Sequence, residues 1–351
     1  MIDAVAGRMT GERRFLAAVR HVEPDATPVW FMRQAGRSLA EYRDLRERYP
    51  IMTIAKTPEL SAQVSLMPVD RFGVDAAVMF ADIMLPLEPM GVDLEIEPSI
   101  GPIIHNPVRS PGDVDHLRLI DPDEEVGFVM DAIRIVAREL QDKHAVIGFS
   151  GSPFTLACYL IEGRPSRDYA TAKAFMYAQP AAWHSLLEKL STVVIRYLNA
   201  QLGAGAQVVQ LFDSWVGALS PGDYADFVKP HVARVLANVK GAPTIHFGTQ
   251  NASLLELMAE AGGDVIGIDS RQSLDEAWQR VGFERGIQGN LEPARLLAGW
   301  DATEAGARDV LRRAAQRPGH IFNLGHGVLP DTDPGLLAQL VAFVHAESSR
   351  T

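Results

Sequence analysis

The sequence predicts an α/β protein built as a single (β/α)8 barrel of the TIM type, and three observations carry that prediction. Eight short apolar runs alternate with helical patterns along the chain. The runs are almost continuously apolar, as expected of parallel strands that are covered on both faces. The length of 351 residues also fits, because barrels of this class span roughly 200 to more than 400 residues.

The eight runs are the predicted barrel strands, and the seventh is the weakest. They occupy residues 28–32, 75–80, 145–149, 207–212, 243–247, 264–268, 286–289 and 320–324. Residues 92–97 alternate between apolar and polar, residues 98–101 favour a turn, and residues 102–105 suit a returning strand. We therefore expect a β-hairpin inserted after the second barrel strand.

The helices between the strands carry recognisable start signals. Several begin with a capping residue followed by proline, which is tolerated at the first helical position because the N–H there has no helical partner. These pairs are Thr57-Pro58, Ser152-Pro153, Ser220-Pro221 and Asp333-Pro334. Residues 171–202 predict one long helix or a broken pair. The alternative fold, an open doubly wound sheet, lacks its Gly-x-Gly-x-x-Gly turn after the first strand, and the glycines at 202–205 predict a helix C-cap.

Composition and charge exclude several classes of function. A formal net charge of −11 argues against nucleic-acid binding and against an anionic membrane surface. No apolar run approaches the roughly 18–20 residues of a membrane span, and no signal peptide is evident, so we expect a cytoplasmic location. The single cysteine, Cys158, allows no intrachain disulfide and no cysteine-based zinc site, and it suits a small buried position. We expect one domain over residues 1–351, with about residues 1–12 flexible.

Two arginines mark the end of the first predicted strand. The apolar run stops at Arg33, and Arg37 follows with Gly36 beside it. Ser38 and Glu41 have the spacing of a capping box, so we expect Ser38 to cap a helix there. The two guanidinium groups would then lie between a strand end and a helix N-terminus, an arrangement that holds carboxylates or phosphates. The alternative is two arginines on a solvated loop.

Polar residues follow the other predicted strands as well. Because the strand ends form the active face of a (β/α)8 barrel, these residues are expected on one face. They are Asp82, Ser150, Asp213, Ser214, Thr249, Asp269, Ser270 and His326. A polar residue at any one strand end is more often a cap than a catalyst, so the evidence lies in their clustering.

Each of the chemically interesting side chains allows a structural interpretation beside a functional one. Asp82 follows an apolar run, where a carboxylate needs partners: it caps a helix, pairs with an arginine, or accepts hydrogen bonds from ligand N–H groups. Ser152 favours a helix cap, since its segment lacks the last glycine of a nucleophile elbow. Tyr159 suits core packing with its hydroxyl at the edge, and Ser214 either caps or donates to a ligand. His326 has no metal-ligand spacing around it and suits hydrogen bonding to an anionic group.

Four segments together resemble the uroporphyrinogen decarboxylase family. They are Phe31-Met-Arg-Gln-Ala-Gly-Arg37, the pattern Gly151-x-Pro-Phe-Thr-Leu-x-x-Tyr159-x-Ile-Glu-Gly163, Phe212-Asp-Ser-Trp215 and Asn323-Leu-Gly-His-Gly327. The family removes the four acetate carboxyls of uroporphyrinogen III, giving coproporphyrinogen III and CO2 in haem biosynthesis. The resemblance implies a (β/α)8 barrel that works as a homodimer without metal or organic cofactor.

The resemblance also implies which residues bind the substrate. These are Arg33, Gln34, Ala35, Gly36, Arg37, Asp82, Tyr159, Ser214 and His326. In the family pattern the two arginines meet substrate carboxylates, the aspartate accepts hydrogen bonds from pyrrole N–H groups, the tyrosine and serine lie near the reacting acetate, and the histidine contacts a propionate. The chain departs from the pattern at Ser38, at Ala40 and at Arg164-Pro165, which affects the expected shape of the local loops.

The implied chemistry suits these residues, and the predicted catalytic set is Asp82, Arg37 and Tyr159. Loss of CO2 from an acetate on a pyrrole needs an electron sink, which a protonated pyrrole ring supplies. A fixed carboxylate at Asp82 would stabilise that cation, and we expect Arg33 and Arg37 to favour its ionised form. Arginine is a poor proton donor, so Arg37 is expected to position the departing carboxylate, and the identity of the proton donor stays open.

Two other classes of protein remain as alternatives. A corrinoid-linked methyltransferase of similar fold would hold zinc through His-x-Cys and a further cysteine, whereas the comparable strand end here reads His246-Phe-Gly248. A non-catalytic tetrapyrrole carrier would keep the arginines but would not need Asp82 and Tyr159 together. An activity assay separates the carrier from the decarboxylase.

Overall fold

A computed structural model describes residues 8–97 and 100–350 of the chain. Its centre is a curled parallel sheet of seven strands with helices packed around it. Most of the segment that was expected to be flexible, about residues 1–12, lies outside the described residues, and the first helix begins at Gly11.

The described residues form nine strands in two sheets. In chain order they are β1 Ala76–Val78, β2 Leu94–Glu97, β3 Gly101–Ile104, β4 Ala145–Gly151, β5 Val208–Asp213, β6 Thr244–Gly248, β7 Val265–Gly267, β8 Gly286–Leu291 and β9 His320–Leu324. The parallel sheet has the order β1-β4-β5-β6-β7-β8-β9, so each of its strands pairs with the next one along the chain. All seven coincide with apolar runs that were predicted as strands.

Strands β2 and β3 form a separate antiparallel pair between β1 and β4 in the chain. Leu94 pairs with Ile104 and Glu97 with Gly101, so the two strands overlap the two predicted arms of the inserted hairpin. The predicted turn falls partly on residues 98 and 99, which lie outside the described residues.

The prediction of a strand at residues 28–32 is wrong. This segment makes a single parallel bridge, between Val29 and Phe322 of β9. On its other side the carbonyl of Val29 accepts a hydrogen bond of 2.8 Å from the N–H of Asp75, just before β1. The ladder stops because the N–H of Met32 binds a side chain instead of a backbone carbonyl. The segment therefore touches both edges of the sheet without forming a regular strand.

Seventeen α-helices surround the sheet within the described residues. They are α1 Gly11–Val19, α2 Ala40–Arg48, α3 Ile51–Lys56, α4 Pro58–Phe72, α5 Pro111–His116, α6 Pro122–Glu125, α7 Gly127–Leu140, α8 Pro153–Glu162, α9 Ala170–Ala178, α10 Pro180–Ala204, α11 Pro221–Phe227, α12 Lys229–Asn238, α13 Leu255–Ala261, α14 Leu274–Val281, α15 Ala294–Leu297, α16 Trp300–Ala314 and α17 Pro334–Glu347. Short 3-10 turns occupy Leu85–Leu87 and Val216–Ala218. None of the helices in this part of the chain is long and apolar enough to cross a membrane.

The predicted start positions of four helices are confirmed. Helices α4, α8, α11 and α17 each begin at a predicted proline. The long helical stretch is a broken pair, because Pro180 starts α10 two residues after α9 ends. Gly205 ends α10 with φ +120°, a backbone conformation that side chains disfavour, as the predicted C-cap requires.

Apolar side chains cover the two faces of the curled sheet differently. One face packs against the outer helices in two large clusters. The other face carries a third cluster, which includes Val78, Ile147, Ile245 and residues of α1 such as Phe15. Because the N–H of Glu12 in α1 binds the carbonyl of the residue two positions before β4, α1 covers the amino ends of the strands. The opposite, carboxyl end of the sheet holds an open cleft.

Candidate active site

The cleft at the carboxyl ends of the strands has a volume of about 490 Å³. It brings together most of the residues that sequence reasoning selected, along with an apolar floor. Its polar lining includes Arg33, Arg37, Asp82, Tyr159, Ser214 and His326, and its apolar lining includes Trp30, Met32, Met79, Phe149, Phe212, Trp215 and Phe247.

Arg33 and Arg37 both line the cleft and are exposed. Within the described residues, no carboxylate oxygen lies within 4.0 Å of either guanidinium group. Arg33 has φ +59°, and a side-chain carbon added to Gly327 would lie 2.5 Å from its Cδ. Gly327 is therefore needed to let the Arg33 side chain pass. The two positive charges are therefore left available for an anion.

The predicted capping box at Ser38 and Glu41 is wrong. Helix α2 begins at Ala40, its N-cap position is Leu39, and no side chain caps it. The Ser38 hydroxyl is buried without a hydrogen-bond partner in the described part of the chain. Glu41 instead lies 3.3 Å from Arg71. The turn before α2 thus places Ser38 one residue too early to reach the free N–H groups.

Arg43 holds the loop that carries Arg37. Its Nη1 donates to the carbonyl of Arg37 at 2.8 Å and to that of Ser38 at 3.1 Å. A guanidinium group that binds two successive carbonyls fixes the backbone while the Arg37 side chain stays free. Helix α2 therefore fixes the backbone of this loop through Arg43.

Gln34 lies beside the cleft arginines in sequence but does not line the cleft. It is fully buried; its Oε1 accepts from the N–H of Phe31 and its Nε2 donates to the carbonyl of Ala76, both at 2.9 Å. Both ends of the amide are thus used to tie residues 28–32 to β1. Ala35 and Gly36 do line the cleft.

Asp82 lines the cleft beyond the end of β1 and is partly exposed to it. Its Oδ1 accepts a hydrogen bond of 2.8 Å from the N–H of Met84. Burial raises the pKa of Asp82, and the Met84 N–H and the charge of Arg33 oppose that rise without cancelling it. The expectation that a neighbouring arginine favours the ionised carboxylate is confirmed in direction for Arg33, but burial outweighs that charge and the net shift of the pKa is upward. Asp82 is a carboxylate short of hydrogen-bond donors in an apolar setting.

Tyr159 projects from α8 into the same cleft. Its ring packs on Trp215, with centroids 5.9 Å apart. Burial, followed by the negative charge of Asp82, raises the pKa of Tyr159 to about 12. The hydroxyl therefore keeps its proton at neutral pH and can donate a hydrogen bond into the cleft.

Ser214 and His326 complete the polar lining from β5 and β9. The carbonyl of Ser214 accepts a hydrogen bond of 2.5 Å from the Thr249 hydroxyl, which fixes the loop after β5. Burial, assisted by the positive charge of Arg33, lowers the pKa of His326. His326 is therefore a neutral imidazole at neutral pH and can donate one hydrogen bond while adding no charge.

Several strand-end residues do not reach the cleft. Asp213 is fully buried behind it; it accepts from the Ser152 hydroxyl at 2.7 Å and lies 3.7 Å from Nε2 of His246. Ser152 occupies the N-cap position of α8, but its side chain makes no cap hydrogen bond. Ser152 therefore occupies the predicted cap position, but the predicted capping hydrogen bond is wrong. Its hydroxyl is oriented toward the Asp213 carboxylate instead.

The aromatic floor was missed by the sequence reasoning. Phe149 and Phe212 meet edge to face with centroids 5.5 Å apart, and Phe247 lies 5.9 Å from Phe212. A signal was present, because each is the aromatic residue near the end of a predicted strand, and strand pairing aligns Phe149 near Phe212 and Phe212 with Phe247. Together they give the cleft an apolar surface large enough for an organic ring.

No group of three or more His, Cys, Asp or Glu residues that could hold a metal ion occurs among the described residues. Cys158 is buried in α8, and burial raises the pKa of its thiol. His246, the residue comparable to a zinc ligand of methyltransferases, is also fully buried.

The fold and the cleft define the class of this protein. A parallel α/β sheet carries, at its carboxyl ends, two free guanidinium groups, an under-coordinated carboxylate and a protonated tyrosine above an aromatic floor. An apolar cleft with free cations at the carboxyl ends of a parallel sheet is typical of an enzyme that binds an organic anion.

The comparisons with known proteins give the family. The protein-family model for uroporphyrinogen decarboxylase (URO-D) matches residues 10–347, and the chain belongs to this family. Uroporphyrinogen decarboxylase from Sorangium cellulosum is 52% identical over 95% of this chain and 96% of its own length. The enzyme of the same name from Streptomyces coelicolor is 50% identical over 97% of this chain and 96% of its own.

Solved structures support the fold alone. A methyltransferase from Methanosarcina mazei has a TM-score of 0.84 at 22% identity and covers 97% of this chain and 99% of that one. A vitamin-B12-independent methionine synthase from Listeria monocytogenes reaches a TM-score of 0.54 at 11% identity, over 93% and 97% of the two chains.

Proposed function

We propose that this protein decarboxylates uroporphyrinogen III to coproporphyrinogen III, converting the four acetate side chains to methyl groups with release of CO2 in porphyrin biosynthesis. One observation carries the proposal. Asp82, with a single hydrogen-bond donor, shares a cleft with two guanidinium groups that have no carboxylate partner among the described residues. An anionic rim around an N–H-bearing ring fits that combination, and family membership points to the same substrate.

The two arginines supply the binding energy for the substrate carboxylates. Arg33 and Arg37 are both exposed in the cleft, and an arginine can bind a carboxylate through two parallel N–H bonds. The chain as a whole is acidic, with a formal charge of −11. Local concentration of positive charge at the mouth of the cleft would overcome that repulsion and orient a polyanion.

Asp82 supplies the fixed negative charge that the reaction needs. When a proton adds to a carbon of the pyrrole ring, the ring becomes a cation, and the C–C bond electrons of the acetate flow into it as CO2 leaves. The exocyclic CH2 then takes a proton to become methyl, and the ring loses the first proton. Pyrrole N–H groups would donate to the Asp82 carboxylate, and those bonds strengthen as positive charge develops.

Substrate binding would favour the ionised form of Asp82. Burial raises the pKa of Asp82 in the empty cleft, and ring N–H donors would lower it again by stabilising the anion. The carboxylate is then desolvated and aimed at the site where cationic charge appears. A carboxylate already neutralised by an ion pair would lack this capacity.

Tyr159 and Arg37 would act on the departing group. With a pKa of about 12, Tyr159 stays protonated and donates a hydrogen bond beside Asp82. Arg37 would hold the acetate carboxylate until the C–C bond breaks. Ser214 and His326 add neutral hydrogen-bonding groups, and we leave Gln34 out of the contacting set because both ends of its amide are already bonded. The reaction as written needs no metal or organic cofactor.

The experiment is anaerobic incubation with enzymatically prepared uroporphyrinogen III, with and without a chelator, followed by oxidation and chromatography of the porphyrins. Stepwise conversion from eight carboxylates to four, unaffected by chelator, is the expected result. Tight binding without loss of any carboxylate would favour a tetrapyrrole carrier. Turnover that stops with chelator would contradict the cofactor-free mechanism.

We also infer that residues 28–32 close the curled sheet into a (β/α)8 barrel, with the β2–β3 pair as a hairpin inserted after the second barrel strand. The N–H of Phe322 donates to the carbonyl of Pro28 at 2.9 Å, and Asp75 bonds to Val29 on the other side, which supports closure. A single domain over residues 1–351, a homodimer and a cytoplasmic location stay predictions, and the homodimer rests on the family resemblance alone. Sedimentation of the purified chain tests the dimer.

A further inference from the structure

The loop after β7, residues 269–272, is fixed by hydrogen bonds on both sides. Nδ2 of Asn290 donates to the carbonyls of Asp269 and Gln272, both at 2.8 Å. The buried Asp269 carboxylate accepts from the N–H of Gln250 at 2.7 Å and from that of Arg271 at 3.1 Å. The backbone of Arg271 is therefore rigid.

This loop packs directly against the loop that carries His326. A side-chain carbon added at Gly325 would lie 2.2 Å from the backbone nitrogen of Ser270, so only glycine allows the two loops to meet. Ser270 and Gly325 are the immediate chain neighbours of Arg271 and His326. Because these two neighbours touch, Arg271 lies close to the loop whose His326 lines the cleft.

The Arg271 side chain is weakly engaged. It is 64% exposed, and its ion pair with Asp269 is long, at 3.4 Å. Asp269 already has two backbone donors. The other nearby carboxylate, Glu292, accepts from the Ser270 hydroxyl and from the N–H of Ala294. Little would be lost if the Arg271 guanidinium turned toward a new anion.

Two positive charges act on one neutral imidazole here. Arg33 and Arg271 both lower the pKa of His326, while Asp269 and Glu292 raise it. A neutral His326 can donate one hydrogen bond to a carboxylate but cannot balance its charge. A guanidinium beside it would supply the missing positive charge.

We propose that Arg271 forms, together with His326, an outer subsite for one carboxylate of the substrate. The inference rests on the proposed function, whose substrate carries eight carboxylates, while the described residues that line the cleft include only two arginines, Arg33 and Arg37. Arg271 lies outside the cleft lining, so it binds a carboxylate at the rim of the cleft and takes no part in the chemical step.

The test compares Arg271→Gln, Arg271→Lys and a matched control, Arg134→Gln, which removes an exposed arginine from α7. For each, we would measure kcat and KM with uroporphyrinogen III, and equilibrium binding of the unreactive oxidised porphyrins uroporphyrin and coproporphyrin. For R271Q we expect KM to rise about three- to tenfold, the size of a charge-assisted contact at an exposed site. We expect kcat to stay within about twofold, R271K to recover part of the loss, and R134Q to match the wild type.

The binding data identify the carboxylate and separate this inference from the proposed function. Equal losses for uroporphyrin and coproporphyrin indicate a propionate, and a loss for uroporphyrin alone indicates an acetate. Unchanged KM and binding in R271Q, with wild-type turnover intact, would contradict the subsite only. Wild-type binding without turnover would contradict the decarboxylase only, and a wild-type chain that binds neither porphyrin would contradict both.

Discussion

The two ends of the parallel sheet use charged residues in opposite ways. At the amino end, Arg14 bonds to Asp25 at 2.7 Å and to Asp75 at 2.6 Å, and His345 lies 2.7 Å from Asp75. At the carboxyl end, Arg33 and Arg37 have no carboxylate within 4.0 Å among the described residues. The same residue types stabilise the fold where they are saturated and are free to bind substrate where they are not.

The difference follows from burial and from the neighbouring backbone. Asp75 is buried with three partners, Arg14, His345 and the N–H of Val29. Asp82 lies just past the other end of β1 and has one hydrogen-bond donor among the described residues, the N–H of Met84. A buried carboxylate with a full set of partners is inert, whereas one short of donors binds whatever supplies them.

The largest expected effect is a loss of stability from a substitution at the amino end of the sheet. Arg14→Met leaves Asp25 and Asp75 without their guanidinium, and breaking a buried ion pair costs about 3–5 kcal/mol of unfolding free energy. Chemical denaturation measures it. Because Arg14 lies at the opposite end of the sheet from the cleft, kcat and KM of the folded fraction should match the wild type at low temperature. A variant that keeps its stability but loses activity would mean that Arg14 serves the reaction and not the fold.

The second largest expected effect is a loss of activity from a substitution at the carboxyl end of the sheet. Arg37→Gln removes a guanidinium that has no carboxylate partner among the described residues, so we expect little change in unfolding free energy. A hydrogen-bonded charge pair with substrate contributes about 1.5–3 kcal/mol, and kcat/KM should therefore fall roughly 10- to 150-fold. Steady-state kinetics beside a denaturation curve checks both parts, and a large loss of stability would show that Arg37 is structural.

The pH dependence of stability sharpens the contrast at Asp82. Since burial raises the pKa of Asp82 in the folded state above the ordinary 3.8, the unfolded chain loses this proton first as pH rises. The wild type therefore loses stability relative to Asp82→Asn as pH rises from below 3.8 through the raised pKa. Denaturation of both proteins across pH 3–8 checks this. If the unfolding free energy of the wild type instead increased relative to that of Asp82→Asn as pH rises, the folded protein would stabilise the ionised carboxylate through its partners.

The smallest effect tests the loop between the arginines and α2. Ser38→Ala removes a buried hydroxyl that has no partner in the described part of the chain, so stability should change by less than about 0.5 kcal/mol or rise slightly. The control is Ser220→Ala, which removes a hydroxyl that caps α11 and should cost about 0.5–2 kcal/mol. Equal losses in the two variants would mean that Ser38 does cap α2 in solution.

Much of this arrangement could be read from the sequence, because it depends on local patterns. Parallel strands are buried on both faces, so seven of the eight apolar runs predicted strands correctly, and β9 was predicted to the residue. The residues of the cleft follow from the rule that strand ends form the active face. Residues 28–32 have the same apolar character, but a side chain captures the N–H of Met32, which no local pattern reveals.

The features that sequence reasoning missed depend on turns, side-chain contacts and burial that the local residue pattern does not specify. Ser38 has the spacing of a cap, yet the preceding turn shifts the helix start to Ala40. Gln34 shares a motif with two cleft arginines, but its amide bonds to Phe31 and Ala76 instead. The sign of the pKa shift at Asp82 depends on how burial compares with the field of Arg33, and neither quantity is local.

The most direct test of the account is a comparison of wild type and Asp82→Asn under anaerobic single-turnover conditions with uroporphyrinogen III. Binding would be measured by retention of uroporphyrin and chemistry by chromatography of the oxidised products. Loss of a preorganised charge at a developing cation predicts a rate lower by about 10²–10³, with uroporphyrin still bound and the fold intact. A D82N protein that converts eight carboxylates to four at the wild-type rate would contradict the central role of this carboxylate.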